Sequence, residues 1–225
     1  MRTLLLIIIV NSLSFVTGAN RVLAEDAKHD DHKAHAHDHK AHAHATHAGH
    51  ENASRPKDLP APLFRGLGNN VFPITTNSRL AQFYFDQGLM LAYGFNHAEA
   101  ARSFRAAQKL DPDCAMAYWG EAYVLGPNIN APMFPEAIPQ AWGAIQQAKK
   151  LKKNATAKEK ALIDAMATRY AKNPPEDRGE LDAAYRDAMR VVAKRYPQDL
   201  DIQTIFAESI MDTTPWGYWV DGGRP

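Results

Sequence analysis

The chain has 225 residues, carries 26 Lys and Arg against 25 Asp and Glu for a formal charge of +1, and contains one cysteine. A balance this even provides no basic stripe to neutralise phosphates, which argues against nucleic acid as a partner. The lone Cys114 excludes an internal disulfide and any cysteine-based metal cluster, so the fold must hold by packing alone.

At the N-terminus, Arg2 precedes an apolar run from Leu4 to Val10 and a small-residue exit at Val22-Leu23-Ala24. This pattern reads as a secretory signal peptide over residues 1–24. The run is much shorter than the roughly 20 residues that span a bilayer. No stable membrane span is expected once the signal is cleaved, and the protein is expected to be exported, either periplasmic or secreted.

Residues 25–55 are expected to form a disordered, His-rich arm. Between positions 29 and 50 the chain reads HDDHKAHAHDHKAHAHATHAGH, which has no large apolar side chain to bury. Nine of the ten histidines fall here: His29, His32, His35, His37, His39, His42, His44, His47 and His50. Neutral imidazoles are good ligands for zinc, copper or nickel, and closely spaced ones can wrap an ion without a preformed pocket. The arm is therefore a candidate metal binder, with a hydrophilic spacer as the plain alternative. No cofactor is required by anything else in the chain. Residues 56–77, with Pro56, Pro60, Pro62, Gly66, Gly68 and Pro73, read as a linker that straps onto the domain through Leu63, Phe64, Val71 and Phe72.

From Ser78 onward the punctuation is that of short helices. Ser78 is placed to cap a first helix that Gly94 stops. Asn96 and Glu99 open a second with a capping-box-like arrangement, and Asp111-Pro112 is expected to start a third. Thr156 and Glu159 form another capping box for a helix expected to run to about Asn173. A further helix is expected from Gly179 to Tyr196, and Asp199 caps the last. The small residues Gly88 and Ala100 let the first two helices approach closely, with Phe104 filling the angle between them.

Tyr84, Gly88, Ala100, Phe104, Ala107 and Pro112 fall in the order aromatic, Gly, Ala, aromatic, Ala, Pro, and here the chain resembles the tetratricopeptide repeat family. Gln87 and Leu91 depart from that pattern. Ile145 to Leu151 echo Phe104 to Leu110 at a distance of 41 residues, against a family period of about 34. An enlarged loop, Gly126 to Pro135, accounts for the excess. The segments YGFNHAEAARSF, DPDCAMAYWGEA and LGPNIN are similar to those of exported bacterial tetratricopeptide proteins. The resemblance implies an all-α fold over residues 78–225, a helix-turn-helix solenoid of about three pairs plus a last unpaired helix. It also implies that the chain is a fragment of a longer one, or that oligomer contacts cover the last helix.

By the same resemblance, a groove lined by the first helix of each pair receives a protein or peptide. Its candidate residues are Phe85, Tyr93, Trp119 and Tyr123, joined by Asn128 and Asn130 on the long loop. A groove this aromatic is expected to take apolar or extended peptide surface, or to be covered by another part of the chain. No nucleophile elbow, phosphate loop or paired metal ligands on a helix face stands in the sequence, so a binding protein rather than an enzyme is expected. His97 lies in a helix's first turn and reads as a surface or capping residue. Glu208 reads as part of a solvated helix face.

Overall fold

The computed structural model describes residues 61–215, 217–219 and 222–223, all within one unit, Glu51–Pro225. The signal segment and the His-rich arm lie outside the described residues. Among the described residues seven α-helices follow in order: α1 Arg79–Tyr93, α2 His97–Leu110, α3 Ala115–Leu125, α4 Ile138–Leu151, α5 Ala157–Ala167, α6 Gly179–Arg195 and α7 Leu200–Met211. Short 3₁₀ turns at Pro135–Ala137 and Lys152–Asn154 flank α4. Among the described residues the only β pairing is an isolated bridge, Asn128 with Ala131, so the described domain is all-helical. No described helix is long and apolar enough to cross a membrane.

Most caps follow the sequence chemistry. The Ser78 hydroxyl accepts from the Ala81 amide, Asp199 accepts from Ile202, and Thr156 with Glu159 closes a reciprocal capping box. Asn96 accepts from Glu99, but the Glu99 carboxylate reaches Arg102 instead of returning to the cap. Two expected boundaries move. Asp111-Pro112 forms a turn ahead of α3, whose N-cap is Cys114, because the Asp111 carboxylate is drawn to Thr76, Asn77 and Asp113. The fifth helix ends at Ala167, six residues before the expected Asn173, because the chain turns inward there and buries Arg169 and Tyr170.

Consecutive helices pack as hairpins, α1 on α2, α3 on α4 and α5 on α6, with α2 also against α3 and α6 against α7. The short turn 94–96 makes α1 and α2 antiparallel neighbours, whereas α3 meets α4 and α5 meets α6 across the longer segments 126–137 and 168–178. An aromatic column runs through the centre. Phe85 sits between Phe72, Phe104 and Trp119, with ring centroids 5.9, 5.4 and 6.4 Å away. Trp119 stacks on Tyr123 at 5.3 Å and donates its indole N–H to the Leu162 carbonyl at 3.1 Å. The column closes only because two helices carry no side chain beside Phe104. A Cβ on Gly88 would come within 2.7 Å of that ring, and one on Gly120 within 2.3 Å.

Residues 61–77 lie on the domain as a strap, although not through the four side chains the sequence suggested. Phe72 alone of them is buried, while Leu63, Phe64 and Val71 are exposed. The strap's backbone supplies the rest of the attachment. Five of its amides donate to side chains of α1, α5 and the turn after α2: Phe64 to Gln87 (2.7 Å), Phe72 to Asp86 (3.0 Å), Ile74 to Gln82 (3.0 Å), Thr75 to Glu159 (2.5 Å) and Asn77 to Asp111 (2.9 Å). In return, Gln82, Gln87 and Tyr84 donate to the carbonyls of Phe72, Pro62 and Ala61. An extended segment without a ladder partner must find such acceptors or leave its amides unpaired, at about 1–3 kcal/mol for each buried group.

Candidate functional site

The spacing of residues on α7 presents one mixed face: Asp201, Thr204, Glu208 and Met211 recur at three- and four-residue intervals. That face is turned toward the C-terminal ends of α1 and α3. The Tyr93 hydroxyl donates to Asp201 at 2.9 Å, and the Tyr123 hydroxyl donates to the Glu208 carboxylate in a short bond. Asn70 of the strap donates to the same Asp201 oxygen at 3.1 Å. Two tyrosines thus bridge α1 and α3 to α7.

Beside these bridges opens a cleft of about 260 Å³, lined among others by Tyr93, Phe95, Tyr123, Ile129, Glu208 and Met211. Phe95 at its rim is 48% exposed and has φ +58°, the one non-glycine residue among those described with a positive φ. A phenylalanine held there stores backbone strain of order 1–3 kcal/mol. Burial, reinforced by the nearby carboxylates, pushes both tyrosine hydroxyls well above their ordinary range. They remain neutral donors, with the Glu208 carboxylate in the cleft lining and Asp201 just outside it, behind Tyr93.

The sequence-derived groove residues separate in space. Tyr93 and Tyr123 line this cleft. Phe85 and Trp119 are fully buried beneath it in the aromatic column, Phe85 directly under the strap's Phe72. Asn128 and Asn130 line a second cavity of about 460 Å³ together with Arg178, Asp182 and Asp212. There Asn128 is occupied with its own turn: it pairs both ways with the Ala131 backbone, and its side chain accepts from the Asn130 amide at 2.8 Å.

No protein-family model, curated protein or solved structure matches the chain. The site therefore rests on its geometry.

Behind the second cavity the Arg169 guanidinium pairs with Asp212 at 2.6 Å and donates to the carbonyls of Pro127 (2.6 Å) and Tyr123 (3.4 Å). It also lies over the Tyr185 ring, 4.7 Å from the centroid. Burial pushes the Asp212 carboxyl up to about 7, against the pull of Arg169. This arginine fixes the position of the long loop, and so of Ile129 in the cleft wall. Among the described residues no group of three or more His, Cys, Asp and Glu side chains is placed to hold a metal.

The sequence reading missed Asp201, Glu208, Arg169 and Asp212. Glu208 was expected on a solvated face and instead bonds a buried tyrosine. The seven-residue spacing of Asp201 and Glu208, two helical turns on one face, was the available signal. His97 is half-buried, with both ring nitrogens shielded from solvent and the Val124 backbone beside the ring, so it neither caps its helix nor donates to solvent.

Proposed function

We propose that the described domain is an exported, tetratricopeptide-type scaffold that receives an extended segment of a peptide or partner protein. The observation that carries this reading is the strap. Residues 70–77 are held as an extended chain through backbone amides captured by side chains of the helical domain, and the aromatic cleft opens beside them, where Asn70 and Tyr93 meet on one Asp201 oxygen. The domain is thus already built to bind extended backbone, with specificity left to the side-chain cleft. The succession of hairpins closed by Gly88, Gly120 and Phe104, with α7 as a last helix, supports the repeat reading. The reading assigns no catalytic step to the domain.

The test uses a panel of dye-labelled extended peptides against the native chain and an Ala207→Trp variant. Ala207 is exposed on α7 and lines the cleft, so an indole there fills it without disturbing the core. The reading expects peptides that bind the native chain and lose about tenfold or more in affinity, 1.4 kcal/mol or more, to the variant. Equal binding by both proteins would remove the cleft from the account.

A second reading is favoured by the nine histidines between positions 29 and 50: a zinc, copper or nickel buffer or metallochaperone, with the helical domain as its docking module. Calorimetric titration of the full chain against a version with all nine replaced by Ser decides it. Uptake lost with the histidines supports this reading, whereas uptake that survives their replacement, or is absent from both proteins, removes it.

A further inference from the structure

We infer that the cleft between α1, α3 and α7 takes the cationic side chain of a lysine or arginine carried on an extended segment of a partner protein. This rests on the binding-scaffold reading and names the chemistry of what is bound.

Size comes first. At about 260 Å³ the cleft is smaller than the roughly 300–1,000 Å³ of sites that enclose whole cofactors or drug-sized ligands. It suits one side chain. Its wall is mostly apolar, with Tyr93, Phe95, Tyr123, Ile129 and Met211, and among the described residues Glu208 is the only charged one lining it. An aliphatic stem ending in a cation matches that arrangement: the stem lies on the apolar wall, the head meets the carboxylate, and the aromatic faces add cation–π attraction.

Charge decides between occupants. Asp201 lies one hydrogen bond beyond Tyr93 on the same face of α7 as Glu208, so the field from this face is negative. After burial, Glu208 helps to raise both tyrosine hydroxyls, and Asp201 helps to raise that of Tyr93. Of the neighbouring basic groups, Lys158 is held by Asp199 and the Phe72 ring, and Arg169 is bonded to Asp212 and acts on Glu208 only from outside the cleft lining. Among the described residues no Lys or Arg lines the cleft to receive an anion. A purely apolar side chain would strip water from Glu208 and give nothing back, at about 1–3 kcal/mol or more for a charged group. A lysine or arginine answers the charge and covers the apolar wall together.

The experiment uses small probes on the full chain, read by NMR on the Met211 methyl, which lines the cleft. The probes are n-butylammonium, n-butylguanidinium, n-butanol and butyrate. The two cations should shift the Met211 resonance saturably and bind about tenfold tighter than butanol, the order expected of a partly desolvated cation–π and carboxylate contact. Butyrate should leave the resonance unmoved. Glu208→Gln keeps an acceptor for the Tyr123 hydroxyl, and should bring the cations down to the level of butanol.

Butanol binding as tightly as the cations would overturn the inference while leaving the scaffold reading intact, with the cleft then an apolar subsite. Silence from all four probes, while peptides still discriminate against Ala207→Trp, would also overturn the inference alone. Silence together with peptide binding that ignores Ala207→Trp would overturn both. The comparison of cation with alcohol needs no variant, so a Glu208→Gln protein that fails to fold does not rescue the proposal.

Discussion

Arg169 and Asp212 form an ion pair of 2.6 Å in which neither side chain is more than 2% exposed, and it joins the residue just past α5 to the C-cap of α7. A pair buried this deeply is costly to break from one side, because the remaining charge stays in a low-dielectric interior. Asp212→Ala should destabilise the domain by about 3–5 kcal/mol, and Arg169→Met by less, because a carboxyl already pushed up to about 7 takes a proton once its partner is gone. The double variant Arg169→Met/Asp212→Leu should recover a substantial part of that loss. Urea unfolding followed by helicity, arranged as a double-mutant cycle, checks both statements. Losses that simply add would mean that the two groups do not depend on each other.

Phe104 is the second point of tight constraint. Gly120→Ala puts a methyl 2.3 Å from its ring, and Gly88→Ala puts one at 2.7 Å. Overpacking of this kind costs about 1–3 kcal/mol. Gly120→Ala should exceed Gly88→Ala, and adding Phe104→Leu should soften the first by making room. The midpoint of chemical denaturation of the four proteins is the measurement. Full native stability in Gly120→Ala would show that α2 and α3 are not held at this separation.

The strap should behave as part of the core through a single side chain. Phe72 is 1% exposed against Phe85 and under the Lys158 ammonium, whereas Val71 is 59% exposed. Phe72→Ala should therefore cost about 3–5 kcal/mol, and Val71→Ala should stay within about 0.5 kcal/mol. Protease accessibility around residues 66–71 should rise in the first and not in the second. Equal effects would contradict the arrangement.

His97 gives a pH dependence with a definite sign. Burial, with Arg169 adding to it, depresses its basicity below the ordinary value, and the Glu208 carboxylate offsets this only in part. Between the depressed folded value and about 6.5 the unfolded chain binds the proton that the folded chain refuses. The contribution to stability is present above the unfolded value and is lost as pH falls through the folded one. Urea midpoints at pH 7.5 and 5.5 should therefore fall more in the native chain than in His97→Gln. The arm histidines are common to both proteins and cancel. The same fall in both would take His97 out of the pH response.

Much of the helical frame was legible because it rests on local chemistry. Ser78, Thr156 with Glu159, and Asp199 cap where their short polar side chains and spacing required. Gly88 and Phe104 could be paired because helical spacing puts small and large residues on facing sides. The cleft was half legible: the aromatic positions Tyr93 and Tyr123 stood out, and the acids that complete it did not. Glu208 read as solvated from its own helix and Asp201 drew no reading at all, and only the approach of α7 to α1 and α3, distant in sequence, gives them phenol partners. The early end of α5 was hidden for a similar reason. Local propensity favours helix through Arg169, but burying its guanidinium against Asp212, 43 residues away, turns the chain inward. Phe85 and Trp119 show that aromatic spacing alone does not separate a wall of a cleft from the core beneath it.

The most direct measurement is a methyl-resolved NMR spectrum of the full chain bound to the tightest lysine-bearing peptide of the panel, with intermolecular NOEs assigned. The account predicts NOEs from the lysine side-chain methylenes to the methyls of Ala207, Ile129 and Met211, with the strap resonances of residues 72–77 unchanged. NOEs confined to other surfaces, or a bound peptide that displaces Phe72 while leaving those three methyls untouched, would contradict it.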